Sequence, residues 1–150
     1  MRGVLIGLFA VLGYGTSFGQ SIGYNLSGGY IAEGYDVVAY FSNKAVEGKS
    51  TYVLSYKGAK YKFSTEANKT KFKADPAKYA PMYGGWCAYA MGDKGVKVTI
   101  DPETFQIIDG KIYLFYNSWG NNTKVSWNKE GAANLKKKAD RNWAKIKYTK

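Results

Sequence analysis

The sequence predicts a small single domain of the α+β class, and three patterns carry that expectation. Residues 52–56 with 60–63, and residues 104–108 with 111–116, are apolar and β-branched arms joined by tight Gly-containing turns, the mark of antiparallel hairpins. Between the hairpins the spacing changes to that of short helices. From 130 to 147 the apolar positions step by three and four, the stripe of a C-terminal amphipathic helix. A chain of 150 residues has room for one core of ordinary size.

Taken in order, Met1 and Arg2 precede an apolar run over 3–13, and small residues stand at Ser17 and Gly19. Residues 1–19 thus read as a secretory signal peptide cleaved before Gln20. The run is shorter than the roughly 20 residues of a membrane span. The protein is therefore expected to be secreted or periplasmic. Residues 20–33 are rich in Gly, Ser and Asn and read as a flexible lead-in, with order beginning near Gly34 and the domain covering 34–150. Residues 34–41 are compact and apolar, with Asp36 the only charge, an acid placed to cap a turn or to pair with a lysine. In the first hairpin Tyr61 and Phe63 share one face, and Lys60 and Lys62 the other. A helix over 64–73 follows, with Ser64 or Thr65 as its N-cap and Phe72 pointing inward; Asp75 and Pro76 end it and open a short helical turn to Tyr79.

The stretch 79–91 holds the only cysteine. Pro81 and the Gly84-Gly85 pair read as a turn, and 86–91 as the start of a short apolar helix. Cys87 would then lie in the first helical turn, where unpaired N–H groups favour a thiolate. A single cysteine forms no internal disulfide, so it is a buried small hydrophobe, a reactive or ligating thiol, or half of an intermolecular bridge. Tyr83, Trp86 and Tyr89 beside the turn are candidates for an aromatic groove or for core.

The order of these blocks resembles the YHS-domain family, in particular its small secreted members. The likeness runs through 34–41, Tyr61-Lys62-Phe63, 72–81, 83–91, Asp101-Pro102, 109–114 and 138–143. It implies a small α+β frame. Relatives with a metal role carry two cysteines four residues apart just after the hairpin; Ser64 and Asn68 stand at those positions here. Neither is a soft ligand, and the chain has no histidine, so that metal site does not carry over.

In the distal half, 96–100 alternates as a strand and Asp101-Pro102 breaks it; Asp109-Gly110 turns the second hairpin, and 117–122 reads as a loop containing Trp119. The final helix presents Ala132, Leu135, Ala139, Trp143 and Ile146 to the sheet, leaving Lys136, Lys137 and Lys138 solvated.

The formal charge of +11, or +10 once Arg2 leaves with the signal peptide, draws the protein toward anionic partners, including envelope polymers and phospholipid headgroups. Nucleic acid is not indicated, because the cations are lysines and Arg2 and Arg141 are the only arginines. Without histidine, Cys/His and Ser/His/Asp catalysis are excluded, and the 11 acids are too scattered for a glycosidase pair. Three functions remain in view. The first is an exported, non-catalytic binding module of the cell envelope, with Tyr83, Gly84, Gly85, Trp86 and Cys87 at its site. The second is copper, bound as Cu(I) by the sulfurs of Cys87, Met82 and Met91. The third is a redox-sensitive thiol at Cys87.

Overall fold

The computed structural model describes residues 19–150, so the expected signal peptide, save Gly19, lies outside the described residues. Strands β1 (Leu26–Ser27), β2 (Tyr30–Ile31), β3 (Lys49–Tyr56) and β4 (Ala59–Phe63) form one sheet in the order β1-β2-β4-β3. The β3–β4 turn is Lys57-Gly58 with φ of 48° and 87°, the double left-handed geometry that fits the right-handed twist of a two-residue hairpin. Tyr61 and Phe63 are buried as their alternation predicts, while the Lys60 and Lys62 ammonium groups lie 4.8 and 4.3 Å from the Tyr30 ring centre.

That contact belongs to the segment expected to be a flexible lead-in, and the expectation is corrected here. Gly28 and Gly29 adopt positive φ to turn the chain from β1 into β2, Tyr30 pairs in parallel with Lys60, and Ile31 is buried in the core. The glycines serve a turn, not flexibility.

Helix α1 (Glu66–Ala74) is capped by Thr65, whose Oγ1 accepts the Asn68 N–H at 3.1 Å, and α2 (Pro76–Tyr79) by Asp75. A 3-10 turn spans Met82–Gly85, and α3 (Ala88–Asp93) follows with Cys87 as its N-cap. Residues 96–100 form no strand, contrary to their alternation; the pattern instead reflects burial of Ile100 and half-burial of Val98. Strand β5 (Asp101–Ile108) begins at the residues expected to break it and pairs with β6 (Lys111–Phe115). A register shift between Asp101 and Phe105 accommodates Pro102, and the Pro102 carbonyl accepts the Tyr40 hydroxyl at 2.7 Å.

The expected loop at 117–122 is a minimal hairpin of β7 (Asn117–Ser118) and β8 (Asn121–Asn122), turned by Trp119-Gly120. Helix α4 (Thr123–Glu130) was not expected; Gly131, at φ 106°, separates it from α5 (Ala132–Ile146). The stripe of α5 is correct, but it packs mainly on α3 and not on the large sheet.

The core has two clusters, and β6 divides them. Ile112 and Leu114 face the first, with Val37, Tyr40, Phe63 and Phe72; Tyr113 and Phe115 face the second, with Met91, Trp127 and Leu135. A strand buried on both faces must be apolar throughout, as β6 is after Lys111. Among the described residues no helix is long and apolar enough to cross a membrane.

Candidate functional site

At the end of the 3-10 turn Tyr83, Gly84 and Gly85 have φ of 57°, 60° and 83°, a left-handed run that bares the backbone. Two segments dock on it. The Gly84 carbonyl accepts the Asn25 N–H at 2.9 Å, the Gly85 carbonyl accepts the Asn25 side-chain amide at 3.0 Å, and the Trp86 indole N–H donates to the Gly23 carbonyl at 2.7 Å. From the other end of the chain, the Trp143 indole lies so close that a Cβ added at Gly84 would stand 2.8 Å from it. The Lys97 ammonium sits near the Trp86 and Trp143 rings at 6.0 and 5.8 Å and donates to the Thr149 carbonyl; burial lowers its pKa.

Beside this junction lies a groove of about 270 Å³ lined by Tyr24, Tyr56, Tyr61, Met82, Gly84 and Trp143, among others. A second hollow of about 440 Å³ shares Ile22, Tyr24 and Lys57 with it and adds Tyr148. Among the described residues Lys57 is the only charged side chain lining either. Burial raises the pKa of the Tyr24 and Tyr61 phenols, so both stay neutral and able to donate hydrogen bonds. Of the residues proposed from sequence, Tyr83, Gly84 and Met82 border this groove. Trp86 and Tyr89 do not: Trp86 is tied to Gly23, and the Tyr89 hydroxyl, pushed up to about 12 by burial and its 2.9 Å bond to Glu130, lies beside Cys87 on another cavity. Sequence reading does not assign Tyr24, Tyr56, Lys57 or Trp143 to a site; the abundance of tyrosine is the only signal for the first two, and Trp143 reads as core of the last helix.

Cys87 is fully buried. Its backbone N–H donates to Val98, and it stands as the N-cap of α3, just before the first turn in which it was expected, with no side-chain bond to its own helix. Its sulfur instead accepts the Tyr116 N–H at 3.3 Å and lies 3.4 Å from Thr123 Oγ1. The Thr123 hydroxyl spends its proton on the Tyr116 carbonyl at 2.7 Å, which leaves the thiol as donor to Thr123. The three groups close a ring joining α3, the end of β6 and the start of α4. Met91, one helical turn after Cys87, packs in the second cluster, while Cys87 belongs to the first and Met82 faces the groove. Met82 also packs against the second cluster, so the two methionines share that cluster and Cys87 belongs to the other.

A third feature centres on Asp36, fully buried, whose Oδ1 accepts the N–H groups of Val38 at 2.9 Å and Ala39 at 3.3 Å. Its Oδ2 accepts the Ser64 N–H at 2.8 Å, the Ser64 hydroxyl at 2.6 Å and the Asn68 amide at 2.8 Å. The capping role expected of Asp36 is present, and Ser64 serves it instead of capping α1.

Residues 37–83, from the segment that Asp36 caps to the left-handed turn, match the family model described as the YHS domain. This segment of the chain is similar to the YHS domain. No curated protein and no solved structure matches it. YHS domains are often linked to metal binding. Ser64 and Asn68, which lie inside the matching segment, both donate to Asp36, whose two carboxylate oxygens are already occupied by donors, so these residues do not fit a soft metal ion.

Proposed function

We propose that the mature protein is an exported, non-catalytic binding module of the cell envelope, and that its ligand seats in the groove between Tyr24, Tyr56, Met82 and Trp143. One observation carries this reading: an aromatic hollow that shares Ile22, Tyr24 and Lys57 with a second one, and whose single charged side chain among the described residues is Lys57. Such a lining suits a ligand with a flat or chain-like apolar body, which stacks on the rings, and an acidic end, which pairs with Lys57. Export rests on the leader-like residues 1–19. The lining offers tyrosine hydroxyls and the Lys57 ammonium, groups that orient a ligand and leave its bonds intact.

Anilinonaphthalene sulfonate, an aromatic body with one acidic group, is a direct probe. Titrated into the folded mature protein, it is expected to give a saturable emission increase at one equivalent. Lys57→Glu is expected to weaken its binding about tenfold, as loss and reversal of one favourable charge contact would. Near-ultraviolet circular dichroism unchanged by the substitution shows that the fold is intact. An emission increase that never saturates, or one that Lys57→Glu leaves alone, overturns the assignment of the groove.

A further inference from the structure

Trp119 is 97% exposed, the most exposed of the large apolar side chains among the described residues, and it belongs to neither core cluster. It stands first in the two-residue turn of β7–β8 with φ 54°, a left-handed conformation usual there for Asn, Asp or Gly and uncommon for an aromatic residue. The support beneath it is tied down. Asn117 Nδ2 donates to Thr104 Oγ1 at 3.0 Å, the Thr123 N–H bonds Tyr116 at 3.0 Å, and Asn122 caps α4. An indole carried outward on a braced, conformationally costly turn has no use inside this fold, and such an outlier points to a surface role.

Its surroundings say what it meets. Val96, 45% exposed, lines the same cavity as Asn121 and Thr123 of the hairpin and α4, and Val125, 60% exposed, stands in the first turn of α4. Lys94 lines that cavity too, with Asp93 the acid on it, and Lys124 follows the hairpin directly; the whole chain carries +11. We infer that this tip is a membrane-surface contact: Trp119, helped by Val96 and Val125, enters the headgroup layer of an anionic phospholipid bilayer, held there by the lysines and the positive field of the molecule. An indole is suited to that layer because its ring is apolar and its N–H meets water and headgroup oxygens. Anionic lipid supplies the charge that a basic protein attracts, and the attraction falls with salt. Trp119 itself lies outside the neighbouring cavity that Asn121 and Thr123 line, so its ring has no concave wall around it. This contact is independent of the groove.

The test is flotation of the mature protein with vesicles of phosphatidylcholine alone and of phosphatidylcholine with phosphatidylglycerol. Binding is expected only to the anionic vesicles, with a blue shift of tryptophan emission and a decline as salt rises. Trp119→Ala is expected to lose at least tenfold in binding and to lose the blue shift, while unfolding no earlier than the parent. Lys94→Glu with Lys124→Glu is expected to weaken binding with Trp119 still present. Equal binding to neutral vesicles, no binding to anionic ones, or full binding by Trp119→Ala overturns the inference. So does a lipid-free dimer in sedimentation that Trp119→Ala dissolves, which assigns the tip to a second copy of the chain.

Discussion

A carboxylate removed from water is tolerated only when its lone pairs are taken, and Asp36 meets that condition with five donors from three segments of chain. It joins the turn at 37–39 to the start of α1, so the hairpin β3–β4 and its following helix are held to the first core through one side chain. Asp36→Asn keeps the size but turns a hydrogen-bearing nitrogen toward N–H or O–H groups that need an acceptor. The substitution is expected to destabilise the protein by about 2–4 kcal/mol, the usual cost of leaving buried donors unmatched around a lost charge. Urea unfolding checks it: the midpoint should fall with an unchanged slope. Cys87 is a second case of a polar side chain used structurally, its thiol closing the ring with Thr123 and Tyr116.

At the level of elements, the left-handed turn at 83–85 lets the N-terminal segment and α5 meet on one bare stretch of backbone. Gly84→Ala places a methyl group 2.8 Å from the Trp143 ring at a φ of 60°, so both sterics and backbone oppose it. A loss of about 2–3 kcal/mol is expected from the clash and the left-handed strain together. Gly110→Ala, at φ 71° with nothing within 4 Å of the added Cβ, serves as the comparison and should cost about 1 kcal/mol. Thermal unfolding of the two variants side by side measures the difference; equal losses would show that the Trp143 contact yields freely. The same elements show what could be read from sequence. Lys57-Gly58 and Asp109-Gly110 are local turn signals flanked by alternating arms, so both hairpins were legible. Gly28-Gly29 is equally good chemistry for a turn or a flexible arm, and only the distant partners Lys60 and Gly84 decide between them. Helix α4 buries only Thr123 and Trp127, four residues apart, too little periodicity to announce a helix, and Gly131 hides the break before α5.

Across the whole molecule, the groove draws Tyr24 from the N-terminal segment, Tyr56 from the first hairpin and Trp143 from the last helix, so no local pattern contained it. The reliance on tyrosine has a consequence for the entire fold. Burial raises the pKa of Tyr40, Tyr61 and Tyr83 above the ordinary 10.0, and for Tyr83 the hydrogen bond to Asp140 adds to it. Below pH 10 these phenols are neutral in both folded and unfolded chains, and stability is fully present. As pH rises past 10 the unfolded chain ionises first and binds fewer protons than the folded one, so stability falls, by about 1.4 kcal/mol per pH unit for each phenol kept neutral. Three such groups acting together should make alkaline unfolding steep. In a titration, phenolate absorbance from the exposed tyrosines is expected to rise near pH 10 with the fold intact, and that of the buried set only with the collapse of near-ultraviolet circular dichroism. Tyr61→Phe, which removes one of the three without adding volume, should move the collapse to higher pH. If all tyrosines instead ionise in one step near 10 while the dichroism persists, the buried phenols are not holding their protons, and the packing assigned to both core clusters is wrong.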